Sequence, residues 1–307
     1  MKILVTGATG FLGKRLCERL DELNSDYVQT SLSLGLDLRS EDDTVRFFCE
    51  IKPDIIINCA AYLGGVQFGY EHPAEMFYNN IKMEISILEA CKAADVKRLI
   101  NPIGNCSYPG IAEIYKEDEF WNGPLHDSVL AYGLAKKAFC VGSWAYHRQY
   151  GLDIVNLVFP NMYGPGDHFN PTKSHAVGGL IKKMVDATAN GDKEVIVWGT
   201  GSPIREWLYV DDAVEALIRA IDIENKYDIV NVGVRNGVSI RETAEVLKRI
   251  TGFGGNLVFD TSKIDGAPIK IMDSTRCEEV FNWLPQMPFE EGLSNAVNWY
   301  KDHMEEI

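Results

Sequence analysis

Apolar positions in the first half of the chain follow two alternating periods. Lys2–Thr6 is a short apolar run ending at a glycine, and Phe11–Leu23 follows with Leu12, Leu16 and Leu20 on one helical face. Tyr27–Thr30 predicts a strand. So does Asp54–Asn58, whose unbroken β-branched run suits a strand covered on both faces. Pro73–Ala94 predicts a long helix. Arg98–Asn101 and Asp153–Val158 predict two further strands, with a helix from about Ser128 to Tyr150 between them. This alternation implies an α/β fold with a doubly wound parallel sheet, covered by helices and joined by right-handed crossovers.

The second half is less regular. Pro and Gly punctuate Pro160–Pro171 and Gly199–Pro203. Helical patterns return at His175–Thr188, Asp212–Asp222, Ser239–Thr251 and Glu290–Lys301, with strands at Glu194–Val197 and Tyr227–Val232. No repeat, low-complexity tract or linker interrupts the pattern, so the second unit is expected to pack closely on the first, the chain crossing between them more than once.

Composition narrows the function. A chain of 307 residues suggests two domains at ~150 residues each. With 30 Lys and Arg against 44 Asp and Glu, the formal charge is −14. That excess argues against nucleic acid or an anionic membrane as partner, since both demand a basic face. Apolar residues at 46% and charged residues at 24% are ordinary for a globular protein. No apolar run approaches the ~18 residues of a membrane span. A strand and glycines directly after Met1 leave no room for a signal peptide, and the seven cysteines are odd in number, widely spaced and free of any C-x-x-C. Free thiols in the cytoplasm are expected, without disulfides or a metal site; most pack as small core residues, with Cys106 a possible exception.

Thr6-Gly7-Ala8-Thr9-Gly10-Phe11-Leu12-Gly13 lies between the first strand and first helix. Glycines there allow a tight turn and let backbone N–H groups meet a pyrophosphate at a helix N-terminus. A plain strand–helix turn is the alternative. An acid at the end of the second strand would select NAD, but Thr30-Ser31-Leu32-Ser33 offers neither acid nor Arg. Lys14 and Arg15 either meet a 2′-phosphate or form a solvated helix face. NADP is the favoured cofactor and NAD the alternative.

Tyr132 and Lys136 stand one helical turn apart in Tyr132-Gly133-Leu134-Ala135-Lys136. An ammonium beside a phenol is expected to lower its pKa from ~10 and ready it for proton exchange with a carbonyl during hydride transfer. Tyr78 and Lys82 repeat the spacing, but on an earlier helix expected to pack against the sheet, whereas Tyr132 follows the loop after the fourth strand.

GATGFLG with a later YGLAK resembles the extended short-chain dehydrogenase/reductase family. Further stretches resemble its GDP-L-fucose synthase branch, a 3,5-epimerase/4-reductase of GDP-4-keto-6-deoxymannose. They are Ala60-Ala61-Tyr62-Leu63-Gly64-Gly65, Asn105-Cys106-Ser107-Tyr108-Pro109, Asn122-Gly123-Pro124-Leu125-His126, Tyr163-Gly164-Pro165-Gly166-Asp167-His168-Phe169, Ser174-His175 and Trp198-Gly199-Thr200-Gly201-Ser202-Pro203-Ile204-Arg205-Glu206. The resemblance spans nearly the whole chain, through Lys270 and Asp273.

It implies a Rossmann-type dinucleotide domain at 1–164 plus about 206–235, and a smaller mixed α/β substrate domain at about 165–205 plus 236–307. It implies Tyr132 as proton donor, Lys136 also holding the nicotinamide ribose, and Cys106 and His175 as base and acid of epimerisation. A C–H beside a ketone is acidic because its carbanion is an enolate, so a thiolate on one face and an acid on the other can invert that carbon. Cofactor contacts are implied at Gly7, Thr9, Gly10, Phe11, Leu12, Gly13, Asp37, Leu38, Ala60, Ala61, Asn80, Phe159, Asn161, Met162 and His175. GDP-sugar contacts are implied at Asn161, Lys183, Arg205 and Lys270, with Trp198 against the base. Arg205 beside Glu206 could instead be a surface ion pair, and Lys182 with Lys183 a solvated edge.

The family's carbonyl-polarising serine, expected four residues before the tyrosine, is replaced by Gly104, with Asn105 or Ser107 as substitutes. Two alternatives to a full epimerase/reductase follow: an enzyme with one of the two activities, and a dinucleotide-binding scaffold without turnover. A homodimer through Pro73–Ala94 and Ser128–Tyr150 is also implied. Neither H-E-x-x-H nor G-x-S-x-G occurs.

Overall fold

The computed structural model describes residues 1–169, 174 and 176–305. Its first half runs β1 (Ile3–Thr6), α1 (Phe11–Glu22), β2 (Tyr27–Thr30), α2 (Glu41–Ile51), β3 (Ile55–Asn58), α3 (Val66–Glu71), α4 (Pro73–Ala93), β4 (Arg98–Gly104), α5 (Leu130–Tyr150) and β5 (Asp153–Phe159). It continues with β6 (Asn161–Tyr163), α6 (Ala176–Asn190), β7 (Glu194–Trp198), β8 (Ile204–Arg205), β9 (Trp207–Tyr209), α7 (Val210–Arg219) and β10 (Val230–Asn231). Last come β11 (Val238–Ser239), α8 (Ile240–Thr251), β12 (Asn256–Asp260), β13 (Ile269–Lys270), α9 (Thr275–Phe281) and α10 (Phe289–Asp302).

Six parallel strands form the main sheet in the order β10-β5-β4-β3-β1-β2. The chain steps from β1 outward to β2, then back across β1 to β3. That reversal is a topological switch point, and in such sheets ligands bind outside the carboxyl ends of the strands. One strand stands beyond β1 where the 3-2-1-4-5-6 order has two.

Side-chain alternation explains the two covered faces. Ile3, Val5, Ile55 and Ile57 pack with Leu12, Leu16 and Leu20 of α1 and Val214 and Leu217 of α7. Leu4 and Ile56 point the other way, onto Phe48 of α2, Ile87 and Leu88 of α4 and Phe139 of α5. Burying each such side chain contributes ~1.5–3 kcal/mol, and an Ile56→Ala cavity would cost ~2–5 kcal/mol.

A separate cluster joins Val177, Leu180, Ile181 and Met184 of α6 to Val195 and Val197 of β7, Ala244 and Leu247 of α8, and Leu293, Ala296 and Val297 of α10. Ser239 and Glu242 close α8 at its start with a reciprocal capping box, and Gly252 in the left-handed region ends it. In the smaller sheets, β6 pairs with β9, β7 with β12, and β8 with both β11 and β13. The pattern anticipates β10 but not α2, α3, α9, β6, β9, β12 or the two-residue strands β8, β11 and β13. It cuts β4 short at Asn101, although the strand continues to Gly104.

Candidate active site

The glycine loop crosses the carboxyl ends of β1 and β3. Gly7 turns with φ +65°, and a Cβ on it would stand 2.6 Å from Ala60 N. A Cβ on Gly13 would overlap the Gly7 carbonyl. Both positions therefore require glycine. Gly10 caps α1 without a side-chain hydrogen bond, leaving the first N–H groups of the helix open to an anion. This cradle fits a dinucleotide pyrophosphate.

Beside it, Thr9 Oγ1, Ser31 Oγ and Ser33 Oγ form a triangle with sides of 3.0 Å. Hydroxyls alone occupy the end of β2, where an acid or Arg was sought. The half-buried guanidinium of Arg15 grips Asp211 of α7 with two 2.8 Å bonds and Glu18 with a third. Lys14 lines a cavity of about 80 Å³ with Pro165 and Trp299. Asp37 is held by Arg39 through two side-chain bonds, which push its carboxyl below the usual range, and Leu38 is buried.

Polar bonds level the strand ends. Thr6 Oγ1 donates to Asn58 Oδ1, Asn58 to Asn101, and Asn101 to Asn156, linking β1, β3, β4 and β5. Ala60 N also donates to Asn58 Oδ1, and Ala61 beyond it is exposed. Asn80 braces the same loop: its Oδ1 accepts from Tyr62 N, and its Nδ2 donates to the carbonyls of Tyr62 and Met76. Its amide is fully engaged within the protein. Phe159 is buried at the end of β5, with half-buried Asn161 and Met162 following on β6.

Tyr132 and Lys136 share one face of α5, with Lys136 Nζ 5.7 Å from the phenol ring centre. The expected depression of the phenol pKa is corrected here. Burial pushes Tyr132 up to about 12, outweighing the opposing pull of Lys136. A smaller contribution in the same direction comes from α4. Glu84 Oε1 is 2.9 Å from Lys136 Nζ, with both side chains almost fully buried, so the carboxylate offsets part of the cation's field at the phenol. Tyr78 and Lys82 show a similar 5.5 Å approach, yet Tyr78 is 59% exposed rather than packed against the sheet. Spacing alone does not separate the two pairs; burial does.

β4 ends at Gly104 and runs into a 3₁₀ turn at Asn105–Ser107. Gly104 has φ −77°, ψ 143°, a backbone any residue adopts. A Cβ there would lie 3.0 Å from Cys106 Sγ and 3.4 Å from Tyr132 Cε1. The expected sequence spacing for the serine is thus corrected: the residue four before Tyr132 is Ser128, which is buried and bonded to His126 Nδ1, whereas Gly104 reaches Tyr132 through the fold. Asn105 is buried, and its Nδ2 has no partner among the described residues. Ser107 is fully buried. Burial pushes the Cys106 thiol up, and Lys270 and Lys136 pull it back. His175 lies outside the described residues.

Lys270 and Arg205 are register partners on β13 and β8. Burial lowers the pKa of both, Lys270 facing Cys106 as well as Arg205. Arg205 Nη1 donates to Ile204 O and Nη2 to Asp265 O, and it makes no pair with Glu206. Glu206 is itself buried, accepts N–H bonds from Arg235 and Met272, and is pushed up to about 7 by burial. Trp198 is 49% exposed, with Lys183 Nζ 4.9 Å and Lys263 Nζ 5.4 Å from its ring. Lys183 also donates to Ile196 O, while Lys182 turns away to Asp186. Glu84, Ser31, Ser33 and Lys263 escape the sequence reading. Only the two serines had a signal, their place at the end of β2.

The NAD dependent epimerase/dehydratase family model matches residues 3–233. A probable GDP-L-fucose synthase 1 of Oryza sativa subsp. japonica is 35% identical over 305 residues, 99% of this chain and 93% of that protein. A GDP-6-OMe-4-keto-L-xylo-heptose reductase from C. jejuni superposes with TM-score 0.91 at 26% identity, covering 98% of each chain. A GDP-L-fucose synthetase from Naegleria fowleri bound to NADP gives TM-score 0.89 at 28% identity, covering 99% of this chain and 95% of that one. With its glycine cradle, its switch-point sheet and a family match over most of its length, the chain belongs to the NAD dependent epimerase/dehydratase family.

Proposed function

We propose that the protein is an NADPH-dependent epimerase/reductase of a GDP-linked 4-keto-6-deoxy sugar. The observation that carries this reading is the approach of Tyr132 and Cys106 to each other at Gly104 at the end of β4, with Lys136 and Lys270 both acting on the thiol and Arg205 beside Lys270. A proton donor for a ketone and a base for its neighbouring carbon then share one substrate. The full-length similarity to a probable GDP-L-fucose synthase and to a solved GDP-heptose reductase supports the substrate class.

The cofactor's pyrophosphate would lie on Gly7–Gly13 and its adenosine ribose against Thr9, Ser31 and Ser33. Bound there, a nicotinamide dinucleotide supplies the hydride. Tyr132, held protonated by burial, donates to the carbonyl oxygen. Asn105 Nδ2 provides the second hydrogen bond that Gly104 cannot. Lys270 and Lys136 favour the thiolate of Cys106, which removes the proton beside the ketone. His175 returns a proton from the opposite face. Arg205 and Lys270 meet the diphosphate, with Arg205 suited to fork-like contacts, and Trp198 stacks on the base between Lys183 and Lys263. Residues 1–164 with about 206–235 would carry the cofactor, and the remainder the sugar nucleotide.

Gly104 favours a second reading, reduction alone. Incubation with NADPH and the 4-keto sugar in deuterium oxide tests both. Full activity gives NADPH oxidation together with deuterium beside C4. Reduction alone gives oxidation without deuterium uptake, and absence of oxidation removes both readings.

We infer a homodimer through α4 and α5, whose outer faces expose Ile85, Val141 and Trp144 at 50–56%. Light scattering at one subunit mass would exclude it. The seven free thiols suit a reducing cytoplasm. Among the described residues, no helix is long and apolar enough to cross a membrane.

A further inference from the structure

We propose that Glu84 is a positioning residue that holds Lys136 in place and sets how much of its charge reaches Tyr132. The inference rests on the reading of Tyr132 as proton donor.

Glu84 lies on α4 and Lys136 on α5, two helices packed side by side. The carboxylate and ammonium meet at 2.9 Å, with side-chain exposures of 5% and 2%. No other described group hydrogen-bonds either Glu84 oxygen. A buried ion pair is a poor source of stability: an apolar pair of similar volume is commonly as good or better, because both charges must leave water. This one also stands beside Tyr132, whose ring centre is 5.7 Å from Lys136 Nζ. Lys136 faces Glu84 across the helix interface, Tyr132 one turn earlier on its own helix, and Cys106 from the turn after β4. Glu84 also faces Cys140 of α5, and Lys270 reaches the cluster from β13 through Cys106.

A lone ammonium at this position would loosen the phenol's hold on its proton. Paired with Glu84, it presents a much weaker net charge to Tyr132, while its position stays fixed. Burial keeps the phenol protonated through the neutral range, and the pairing sets how far above that range the proton is released. Glu84 acts through Lys136, without touching the reacting atoms.

Glu84→Gln tests this, since the amide oxygen still accepts from the ammonium but carries no charge. Tyrosines labelled with 13C at the ring carbon bearing oxygen are titrated by NMR, with Tyr132→Phe assigning the signal. The pH profile of NADPH oxidation with the 4-keto sugar is measured alongside. In Glu84→Gln, Tyr132 is expected to titrate about one unit lower, the size of removing a unit charge from within ~10 Å at an effective dielectric near ~20. The basic limb of the reduction profile moves down by the same amount, and Glu84→Asp keeps both where wild type has them.

Loss of thermal stability or rate in Glu84→Gln with the titration and profile unmoved would overturn the proposal, leaving Glu84 a packing residue. Should Glu84→Gln fail to fold, Lys136→Met is compared with the neutral double variant Glu84→Gln/Lys136→Met. Tyr132 titrates higher in the single variant, and equal values would overturn the proposal. If wild type shows no turnover, the functional reading fails, yet the NMR titration still decides the role of Glu84.

Discussion

Replacing Asn105 by alanine removes the side-chain amide assigned to the place of the missing serine hydroxyl. Asn105 is 3% exposed and its Nδ2 makes no bond to any described group. Truncation therefore breaks no internal hydrogen bond of that nitrogen, and the folding cost should stay near ~1 kcal/mol. The catalytic cost is larger. One preorganised donor to a carbonyl that gains negative charge is worth ~10²–10³-fold in kcat. Steady-state NADPH oxidation on the 4-keto sugar should show that fall in kcat with little change in KM.

The structure also supplies a rescue. Gly104 has an unstrained extended backbone, and a Cβ there would sit 3.4 Å from Tyr132 Cε1 and 3.0 Å from Cys106 Sγ. A small rotation of the thiol admits a serine, whose hydroxyl then lies beside the phenol. Gly104→Ser in the Asn105→Ala background should recover ~10-fold or more. If Asn105→Ala keeps kcat within ~3-fold of wild type, or falls and is not rescued, the assignment of Asn105 is wrong.

Three other expectations follow from the geometry. Ser33→Asp puts a carboxylate into the hydroxyl triangle, where it repels a 2′-phosphate and accepts from a 2′-hydroxyl, so affinity should move from NADPH toward NADH by ~10-fold or more in a fluorescence titration; an unchanged ratio would place the adenosine ribose elsewhere. Trp198→Ala should raise KM for the GDP-sugar ~10-fold with kcat intact, because base stacking serves ground and transition states equally; a fall in kcat at saturation would contradict that. Burial raises Asp167 from 3.8 to about 7, so its contribution to stability is complete below about pH 4 and is lost as pH rises through about 7. Asp167→Asn keeps an acceptor for His168 N, and its stability advantage in urea unfolding should grow from about pH 4 to about pH 8 toward ~4 kcal/mol, whereas a constant difference would refute the shift.

Much of this was legible in the chain. The run Ile55-Ile56-Ile57 reads as a strand covered on both faces because alternate side chains feed two cores, and that is where they lie. The glycine loop is legible since its turn and close contacts are local. Two-residue strands such as β8, β11 and β13 carry no pattern of their own; their register is set by neighbours distant in sequence. At the site, the sequence shows the cation next to the phenol but neither its burial nor Glu84, so the direction of the Tyr132 shift came out reversed. Gly104 lies beside Tyr132, although local spacing points to Ser128; the approach arises from the packing of α5 over the end of β4. Arg15 looked free because its partner Asp211 sits on α7.

The most direct test follows one atom. NADPH carrying deuterium at the transferable position is incubated with the GDP-linked 4-keto sugar, and the product is analysed by mass spectrometry and NMR. One deuterium should appear on C4 with wild type, and Tyr132→Phe should lose that transfer while still binding the cofactor. A cofactor that binds yet never delivers its deuterium, or a Tyr132→Phe variant that delivers it at the wild-type rate, would contradict the role assigned to this phenol.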